Sequence, residues 1–242
     1  MSNQKIANIA NLNIVSIAAE KLISRQDGLP AIGVYYGPSG YGKTTTTIAV
    51  ANATRAYYVQ MRSAWSKKAF AEKICIELGV TVGKTISACL DAITEQLGAS
   101  QRPLIIDEAD YAAAKPGFVE FIRDIYEGSQ SPVILVGEER LPDKLKRFER
   151  FHGRVLVWIQ AQPVSFTDAR LLAEMYAPKI TIADDLITKL VELAHGSVRR
   201  VTVNLVNIEE YAATVGLDSV SLNDIDKSIL YTGEAPRRGV RA

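Results

Sequence analysis

Short apolar runs alternate with amphipathic segments between residues 31 and 160. Five runs rich in Val, Ile and Tyr predict β-strands at 31–37, 56–61, 103–108, 132–137 and 154–160. Apolar positions at helical spacing predict helices at 43–53, 66–78, 85–97, 118–126 and 140–149. Strands that are apolar on both faces and alternate with helices are typical of a mostly parallel sheet covered on two sides. The pattern therefore predicts a three-layer α/β domain with a parallel five-stranded sheet.

The pattern changes after Pro163, where we predict helices only. Capping boxes are expected at Ser165–Asp168 and Thr181–Asp184, and another capped helix is expected to begin at Ser221. Helix stop signals follow at Gly196 and Gly216. The predicted organisation is an α/β domain over residues 1–163 with a short N-terminal helical segment, a small helical subdomain over 164–232, and a flexible basic tail over 233–242.

A glycine-rich loop connects the first predicted strand to the helix that follows it. Its pattern, Gly37-x-x-x-x-Gly42-Lys43-Thr44, matches a P-loop in the strand–loop–helix context that such a loop requires. Backbone N–H groups and the Lys43 ammonium would surround phosphates, and the Thr44 hydroxyl would bind Mg²⁺. We therefore expect ATP and Mg²⁺ as ligands of the loop residues Gly37, Pro38, Ser39, Gly40, Tyr41, Gly42, Lys43, Thr44 and Thr45.

The third predicted strand ends in two adjacent carboxylates. Asp107 and Glu108 come at the carboxyl end of "LIIDEAD", where ligands of open α/β sheets collect. Asp107 is expected to serve the Mg²⁺ and Glu108 to orient and polarise the attacking water. The alternative is a strand that simply ends in acids at the surface.

Phosphoryl transfer also needs positive charge close to the γ-phosphate, which a neighbouring subunit often supplies as an arginine. One cluster, "RFERFHGR", precedes the fifth strand and carries Arg147, Arg150 and Arg154. A second pair, Arg199 and Arg200, begins a helix after Gly196. Ordinary solvated or salt-bridged arginines are the alternative for either group.

Composition narrows the choice of partners and compartment. With 28 Lys+Arg against 27 Asp+Glu, the net charge is +1, so any nucleic-acid binding must come from a local patch. Cys75 and Cys89 lie in predicted helices without metal-ligand spacing and are expected to be buried thiols. No apolar run is long enough to predict a membrane span, and residues 1–20 do not resemble a signal peptide. We expect a cytoplasmic protein.

Two loop-to-helix junctions form such a local patch. The stretches "MRSAWSKKAF" (61–70) and "VGKTIS" (82–87) carry Arg62, Lys67, Lys68 and Lys84, with Ser66 and Thr85 as hydroxyls at the expected helix starts. Hydroxyls and lysines at helix N-termini contact DNA phosphates without reading bases. Solvated surface lysines, with Trp65 packed in the core, are the alternative interpretation.

Taken together, the P-loop, "LIIDEAD", the arginine cluster and "GSVRR" resemble an AAA+ ATPase over nearly the whole chain. More narrowly, "VILVGEERLPDKLKRFERFHGRV" and "QAQPVSFTDARLLAE" resemble the transposition ATPases of Mu-like bacteriophages, the MuB group, with TnsC as a more distant relative. The chain begins almost directly at the ATPase domain, so we expect no N-terminal DNA-binding appendage.

The resemblance implies a protein that binds double-stranded DNA with little sequence preference when ATP is bound. It implies self-assembly into helical filaments on target DNA, and delivery of that DNA to a transposase that stimulates ATP hydrolysis in the bacterial host cell. Arg199 falls on the sensor-2 arginine, Arg150 is the first choice for the trans finger, and Arg154 is the second. Lys68 and Thr85 fall where TnsC-like filaments line the DNA.

One position departs from the AAA+ pattern. After the fourth strand, where a polar Asn, Thr or Ser usually senses the γ-phosphate, this chain has Gly137, Glu138 and Glu139. An acid there would repel a phosphate unless it turns away or binds a water.

Two other functions remain open. A helicase loader or replication-initiator ATPase would use the same core to grip a partner protein, although such proteins commonly carry an extra DNA-reading domain. A monomeric P-loop kinase would need an acceptor pocket and a basic lid between its strands, whereas this chain places its extra helices at the end.

Overall fold

The computed structural model of the protein describes residues 6–226 and 229–233. Its strands are β1 (Ile32–Tyr36), β2 (Tyr57–Gln60), β3 (Leu104–Asp107), β4 (Val133–Gly137), β5 (Val155–Gln160), β6 (Thr181–Ile182) and β7 (Ser219–Val220). Its helices are α1 (Ala10–Ile23), α2 (Lys43–Thr54), α3 (Lys67–Leu78), α4 (Ile86–Ser100), α5 (Asp110–Ala113), α6 (Pro116–Ser129), α7 (Leu141–Lys146), α8 (Glu149–His152), α9 (Phe166–Tyr176), α10 (Asp184–Ala194) and α11 (Val198–Val215).

The main sheet has five strands in the order β2-β3-β4-β1-β5, and every neighbouring pair is parallel. The predicted three-layer fold and its five strands are confirmed. The strands β3 and β4 are buried throughout, as expected for strands covered on both faces. Because all five strands run in one direction, the residues that follow β1, β3 and β4 are brought to the same edge of the sheet.

The chain divides into two compact units. The α/β unit consists of residues 11–39 and 43–161, and the helical unit consists of the described residues up to Ala10, Gly40–Gly42 and the described residues from Gln162 onward. The α/β core contains fully buried side chains from both helices and strands, among them Phe70, Ile93, Leu104 and Ile122. Cys75 and Cys89 are both buried in this core, and burial raises the pKa of the Cys75 thiol to about 11.

The helical unit packs around the apolar faces of α9, α10 and α11. Leu186, Leu190, Leu205 and Ile208 are fully buried there. The predicted capping box of α9 is confirmed: the Ser165 hydroxyl accepts the Asp168 N–H at 3.1 Å, and the Asp168 carboxylate accepts the Ser165 N–H at 3.0 Å. The stop signals also hold, since α10 ends just before Gly196 and α11 is capped by Gly216 in the left-handed conformation.

Three expectations for the chain after Pro163 were wrong. The helical unit is not wholly helical, because Thr181–Ile182 pairs in parallel with Ser219–Val220. Thr181 therefore belongs to a strand, and α10 begins after Ala183 instead. No helix begins at Ser221 within the described residues: its N–H and hydroxyl donate to the Asp224 carboxylate, and the Asp224 N–H donates to the Ser221 carbonyl, which closes a turn.

The helix expected at 140–149 is divided into α7 and α8, which are separated by Arg147 and Phe148. The predicted basic tail, with Arg237, Arg238 and Arg241, lies outside the described residues except for Gly233. Within the part of the chain that the structure describes, none of the helices is both long and apolar enough to span a bilayer.

Candidate nucleotide site

The phosphate-binding loop lies between β1 and α2, as the sequence predicts. Lys43 is the first residue of α2, and its ammonium donates to the carbonyl oxygens of Gly37 at 2.7 Å and Pro38 at 2.8 Å. Gly40 and Gly42 have φ of +85° and +80°, a region that side chains disfavour, so glycine lets this loop curl. Curling turns backbone N–H groups inward, which produces the concave loop that anions bind.

The remaining loop residues differ in exposure. Ser39 and Thr45 are exposed, whereas Pro38 and Thr44 are half-buried. The Tyr41 hydroxyl donates to the His195 carbonyl at 3.4 Å within the helical unit.

The Thr44 hydroxyl contacts the Asp107 carboxylate at the same edge of the sheet. The Thr44 hydroxyl donates to Asp107 Oδ2 at 2.8 Å, although the two residues are 63 positions apart in the chain. Asp107 is almost fully buried at the end of β3. Hard oxygen donors of this kind suit Mg²⁺, which binds proteins through one or two such groups and takes its other ligands from water and phosphate. The residues present therefore fit a P-loop magnesium site.

Asp107 is held by two further donors. The Tyr58 hydroxyl donates to Asp107 Oδ2 at 2.7 Å, and the Glu108 N–H donates to Oδ1 at 2.8 Å. Burial, followed by the hydrogen bond to Asp107, raises the pKa of Tyr58, so the phenol keeps its proton and remains a donor. The sequence did not indicate Tyr58, because it reads as an ordinary aromatic position of β2 and meets Asp107 only through the β2–β3 pairing.

Glu108 occupies a backbone conformation that is uncommon for its residue type. Its φ is +55°, in the left-handed region, which costs a non-glycine residue roughly 1 kcal/mol. Such positions cluster at functional sites, where the surrounding structure imposes them. Burial is the main cause that raises the pKa of the Glu108 carboxyl, and Asp107, Asp110 and Glu138 raise it further, while Lys43 opposes them. This environment strengthens Glu108 as a base.

Lys43 sits among the same carboxylates. Burial lowers the pKa of its ammonium, and Asp107, Glu108, Glu138 and Asp110 partly offset that effect in this order. The Glu138 carboxylate is therefore close enough to affect the pKa of Lys43, although the Glu138 side chain is exposed to solvent.

A carboxylate that was not predicted completes this edge. Asp110, the first residue of α5, accepts the Glu138 N–H at 2.6 Å and forms an ion pair with Lys144 at 2.5 Å. Asp110 and Lys144 come from segments 34 residues apart. Only the last Asp of the quoted "LIIDEAD" stretch hinted at Asp110, and nothing in the sequence indicated Lys144.

The candidate arginines have different surroundings. Arg150 is exposed on α8, and the Arg147 guanidinium donates to the Lys144 carbonyl at 3.4 Å. Arg154 pairs with Glu127 at 2.6 Å. Arg199 is exposed in the helical unit, where its backbone N–H donates to the Gly40 carbonyl at 3.1 Å.

The predicted DNA-contacting residues lie apart from these carboxylates in sequence, at the starts of α3 and α4. Ser66 and Thr85 are the N-caps: their hydroxyls accept backbone N–H groups of Ala69 and Ala88, each at 3.1 Å. Four of the five candidates are exposed and Lys67 is half-buried; the exposed ones are Arg62, Lys68, Lys84 and Thr85.

Two of these candidate residues, Lys68 and Arg62, also contact other side chains of the protein. Lys68 is 3.7 Å from Glu72, one helical turn along α3, and the Arg62 guanidinium lies 5.9 Å from the centre of the Trp65 ring. Trp65 is half-buried against the α/β core, so it serves packing as well as this contact.

Comparisons with known proteins support the fold. Residues 26–145 match the family model described as "AAA domain". No curated protein sequence matches the chain significantly.

Solved structures of archaeal proteins resemble most of this chain. The Aeropyrum pernix ORC1 protein in complex with DNA has 20% identity and a TM-score of 0.62, covering 92% of this chain and 63% of that one. Cdc6p from Pyrobaculum aerophilum has 16% identity and a TM-score of 0.66, with 90% and 65% covered. The ADP form of the Aeropyrum pernix ORC2 protein has 18% identity and a TM-score of 0.68, with 95% and 70% covered.

At these identities the likeness shows a shared fold, and the chain spans less than two thirds of the first two proteins. The AAA domain match covers the P-loop, Asp107 and Glu108, the same residues that the structure gathers at one sheet edge. The chain therefore has the fold of an AAA+ P-loop nucleotide triphosphatase, and residues 26–145 match the AAA domain model.

Proposed function

We propose that the protein is an ATPase that assembles on double-stranded DNA and acts in DNA transposition, where it offers target DNA to a transposase. The observation that carries the ATPase part is the contact between Thr44 and Asp107, with Lys43 and Glu108 at the same edge of the sheet. The transposition part rests on the resemblance of "VILVGEERLPDKLKRFERFHGRV" to the MuB group.

Each residue of this edge has a role in ATP hydrolysis. The Lys43 ammonium and the curled Gly40–Gly42 backbone bind phosphate oxygens. Thr44 and Asp107 would hold Mg²⁺, which would supply positive charge against the phosphate oxygens. The Glu108 carboxylate orients a water molecule and accepts its proton, a task favoured by a raised pKa.

A second subunit completes the site in this proposal. Arg150 is the better candidate for the trans arginine, because it is exposed on α8 whereas Arg154 is already paired with Glu127. Arg199 is the proposed sensor-2 arginine, as the resemblance to AAA+ ATPases implies. ATP binding and self-assembly are then linked, since the nucleotide lies between neighbouring copies.

DNA binding is assigned to the starts of α3 and α4. Arg62, Lys67, Lys68, Lys84 and Thr85 offer positive charge and hydroxyls to backbone phosphates. One subunit contributes few contacts, but a filament repeats them along the duplex and multiplies their effect. A net charge of +1 is compatible with this mode of binding.

A replication-initiator or helicase-loader ATPase is the second candidate. It is supported by the similarity to the ORC1 protein whose structure was determined with DNA, and to Cdc6p. Such a protein would form discrete assemblies and act through a partner protein.

Electron microscopy of the protein with linear duplex DNA and a slowly hydrolysed ATP analogue distinguishes the two candidates. Continuous helical coating of the duplex is the result expected for the transposition ATPase. Discrete rings, or particles at isolated positions, would favour the initiator or loader.

Arg150→Ala should retain nucleotide binding and lose DNA-stimulated hydrolysis, and normal turnover would place the trans arginine elsewhere.

A further inference from the structure

Asp110 uses both carboxylate oxygens to join two other segments. Oδ2 accepts the backbone N–H of Glu138 at 2.6 Å, just beyond β4, and Oδ1 binds the Lys144 ammonium of α7 at 2.5 Å. The Asp110 side chain is only 10% exposed and that of Lys144 is 32% exposed. A pair shielded to this degree is stronger than one at the open surface, and removing one partner leaves a nearly buried charge uncompensated.

The end of β4 is shaped around this carboxylate. A Cβ atom on Gly137 would overlap with Asp110 Oδ2 and would lie 2.7 Å from Leu141 Cδ2. A side chain at position 137, where the usual AAA+ polar sensor would begin, would therefore displace the Asp110 carboxylate or Leu141. The contact that fixes this position comes from Asp110, whose carboxylate holds the main chain of Glu138.

Lys144 lies on the segment that carries the proposed trans arginine. On α7, Leu141 and Leu145 are fully buried and anchor the helix in the core. The Arg147 side chain donates to the Lys144 carbonyl, and on α8 the fully buried Phe151 anchors the turn that exposes Arg150. Only Arg147 and Phe148 separate the two anchored helices, so a shift of Lys144 would reach Arg150 through a short connection.

The other end of the connection is the proposed water-activating residue. Asp110 follows Glu108 by two positions, and Glu108 is held in the left-handed conformation. Ala109, between them, donates its N–H to the Val136 carbonyl of β4 at 2.8 Å. A displacement of Glu108 on nucleotide binding or product release would therefore be transmitted to Asp110.

We propose that the Asp110–Lys144 ion pair is a positioning contact, which couples a subunit's own nucleotide site to the arginine that the subunit presents to its neighbour. This inference rests on the proposed function, because it assumes that Arg150 acts in trans. In an assembly, the Asp110–Lys144 contact would make the position of Arg150 depend on the nucleotide bound by its own subunit. Hydrolysis at the neighbouring subunit's site would then depend on that nucleotide as well.

Single variants test whether the ion pair matters for turnover. Lys144→Met removes the charge and keeps the length of the side chain, and we expect DNA-stimulated kcat to fall about tenfold with nucleotide affinity unchanged. Lys144→Arg should restore most of the rate. Lys146→Met, at an exposed position on the same helix, is the matched control and should leave kcat unchanged. A wild-type rate for Lys144→Met would overturn the proposal.

A mixing experiment tests the direction of the coupling. Glu108→Gln subunits bind ATP and present an intact Lys144 and Arg150, but they do not hydrolyse ATP. If Lys144→Met subunits alone turn over at about a tenth of the wild-type rate, random mixing in equal amounts gives about a quarter of all sites both an intact Glu108 and a well-positioned arginine. The total rate should then rise to about a quarter of the wild-type rate.

If Lys144 affected only the site of its own subunit, mixing the Lys144→Met protein with an equal amount of inactive Glu108→Gln protein would halve its activity. That result would overturn the proposal. Failure of the proposed function would look different, since the wild-type protein itself would then show no assembly on DNA and no DNA-stimulated hydrolysis. Sedimentation of each mixture on duplex DNA confirms that both variants enter the same assemblies.

Discussion

Two regions of the α/β unit bind phosphate in this account, and they are built in opposite ways. At the nucleotide edge, Asp107 receives three hydrogen bonds and is almost fully buried. At the starts of α3 and α4, Lys68 and Lys84 are exposed. Chemistry on one phosphate needs fixed geometry, whereas holding a DNA backbone needs charge that can adapt to the duplex.

The difference between the two regions also predicts how large a loss a substitution in each of them should cause. Removing one group from a fixed, partly buried site leaves the other groups misplaced or unpaired, so the loss is large. Removing one exposed lysine costs little in a single subunit, and the loss becomes measurable because every subunit of an assembly repeats it.

Lys43→Met should produce the largest effect. The ammonium is the positive charge that the loop offers to phosphate, so we expect hydrolysis to fall by about two to three orders of magnitude. Nucleotide affinity should fall with it. Phosphate release and titration with a fluorescent nucleotide measure the two effects, and Lys146→Met is the control. If Lys43→Met kept both hydrolysis and nucleotide affinity, this loop would not be the phosphate-binding element of the protein.

Glu108→Gln should abolish turnover while nucleotide binding persists, with a loss of about a hundredfold or more. It should also stabilise the folded protein at neutral pH. Because the folded-state pKa of Glu108 is raised, its stabilising contribution is present below the ordinary pKa of 4.5 and is lost as the pH rises through the folded pKa.

The stability difference between Glu108→Gln and wild type should therefore grow from acid to neutral pH. Thermal unfolding at a series of pH values measures it, and Glu139→Gln, at the exposed position beyond β4, is the control. An unchanged difference across this range would show that the site does not oppose ionisation of Glu108.

The Lys68→Ala, Lys84→Ala double variant should weaken DNA binding about tenfold and equally across sequences. The slope of log affinity against log salt should become less negative by about 0.9 for each DNA phosphate that is no longer neutralised. Lys21→Ala with Lys73→Ala removes two other exposed lysines and serves as the control. An unaltered slope would move the DNA-contacting surface elsewhere.

Tyr58→Phe should reduce stability by a modest amount. It removes one of the two hydroxyl donors to Asp107 Oδ2, and we expect the free energy of unfolding to fall by about 1 to 2 kcal/mol. Urea denaturation measures this loss, with Tyr111→Phe at an exposed position as the control. Equal stability of both variants would mean that Tyr58 contributes nothing to holding Asp107.

Local patterns predicted the elements that have a strong period or a strong motif. The five strands of the main sheet, the P-loop and the Ser165 capping box depend on short stretches of sequence, and all three were recognised. The two-residue strands β6 and β7 are too short to show a period. Ser221 and Asp224 have the spacing of a capping box, but the Asp224 N–H donates to the Ser221 carbonyl and closes a turn, so the motif alone does not establish a helix.

The contacts that hold the candidate site were beyond prediction for a different reason. Tyr58 meets Asp107 because β2 and β3 are neighbours, and Lys144 meets Asp110 because α7 packs where β4 ends. Each contact joins segments that are tens of residues apart, and no local pattern specifies which side chains will converge. The sequence indicated where the carboxylates would lie, while their partners required the fold.

In the proposed function, a nucleotide between neighbouring copies lets many weak phosphate contacts add together on DNA. Sedimentation of the wild-type protein with a linear duplex, at saturating slowly hydrolysed ATP analogue and then without nucleotide, tests it most directly. We expect large, cooperative assemblies that form only with the nucleotide. A protein that stays monomeric on the duplex at saturating nucleotide would contradict it.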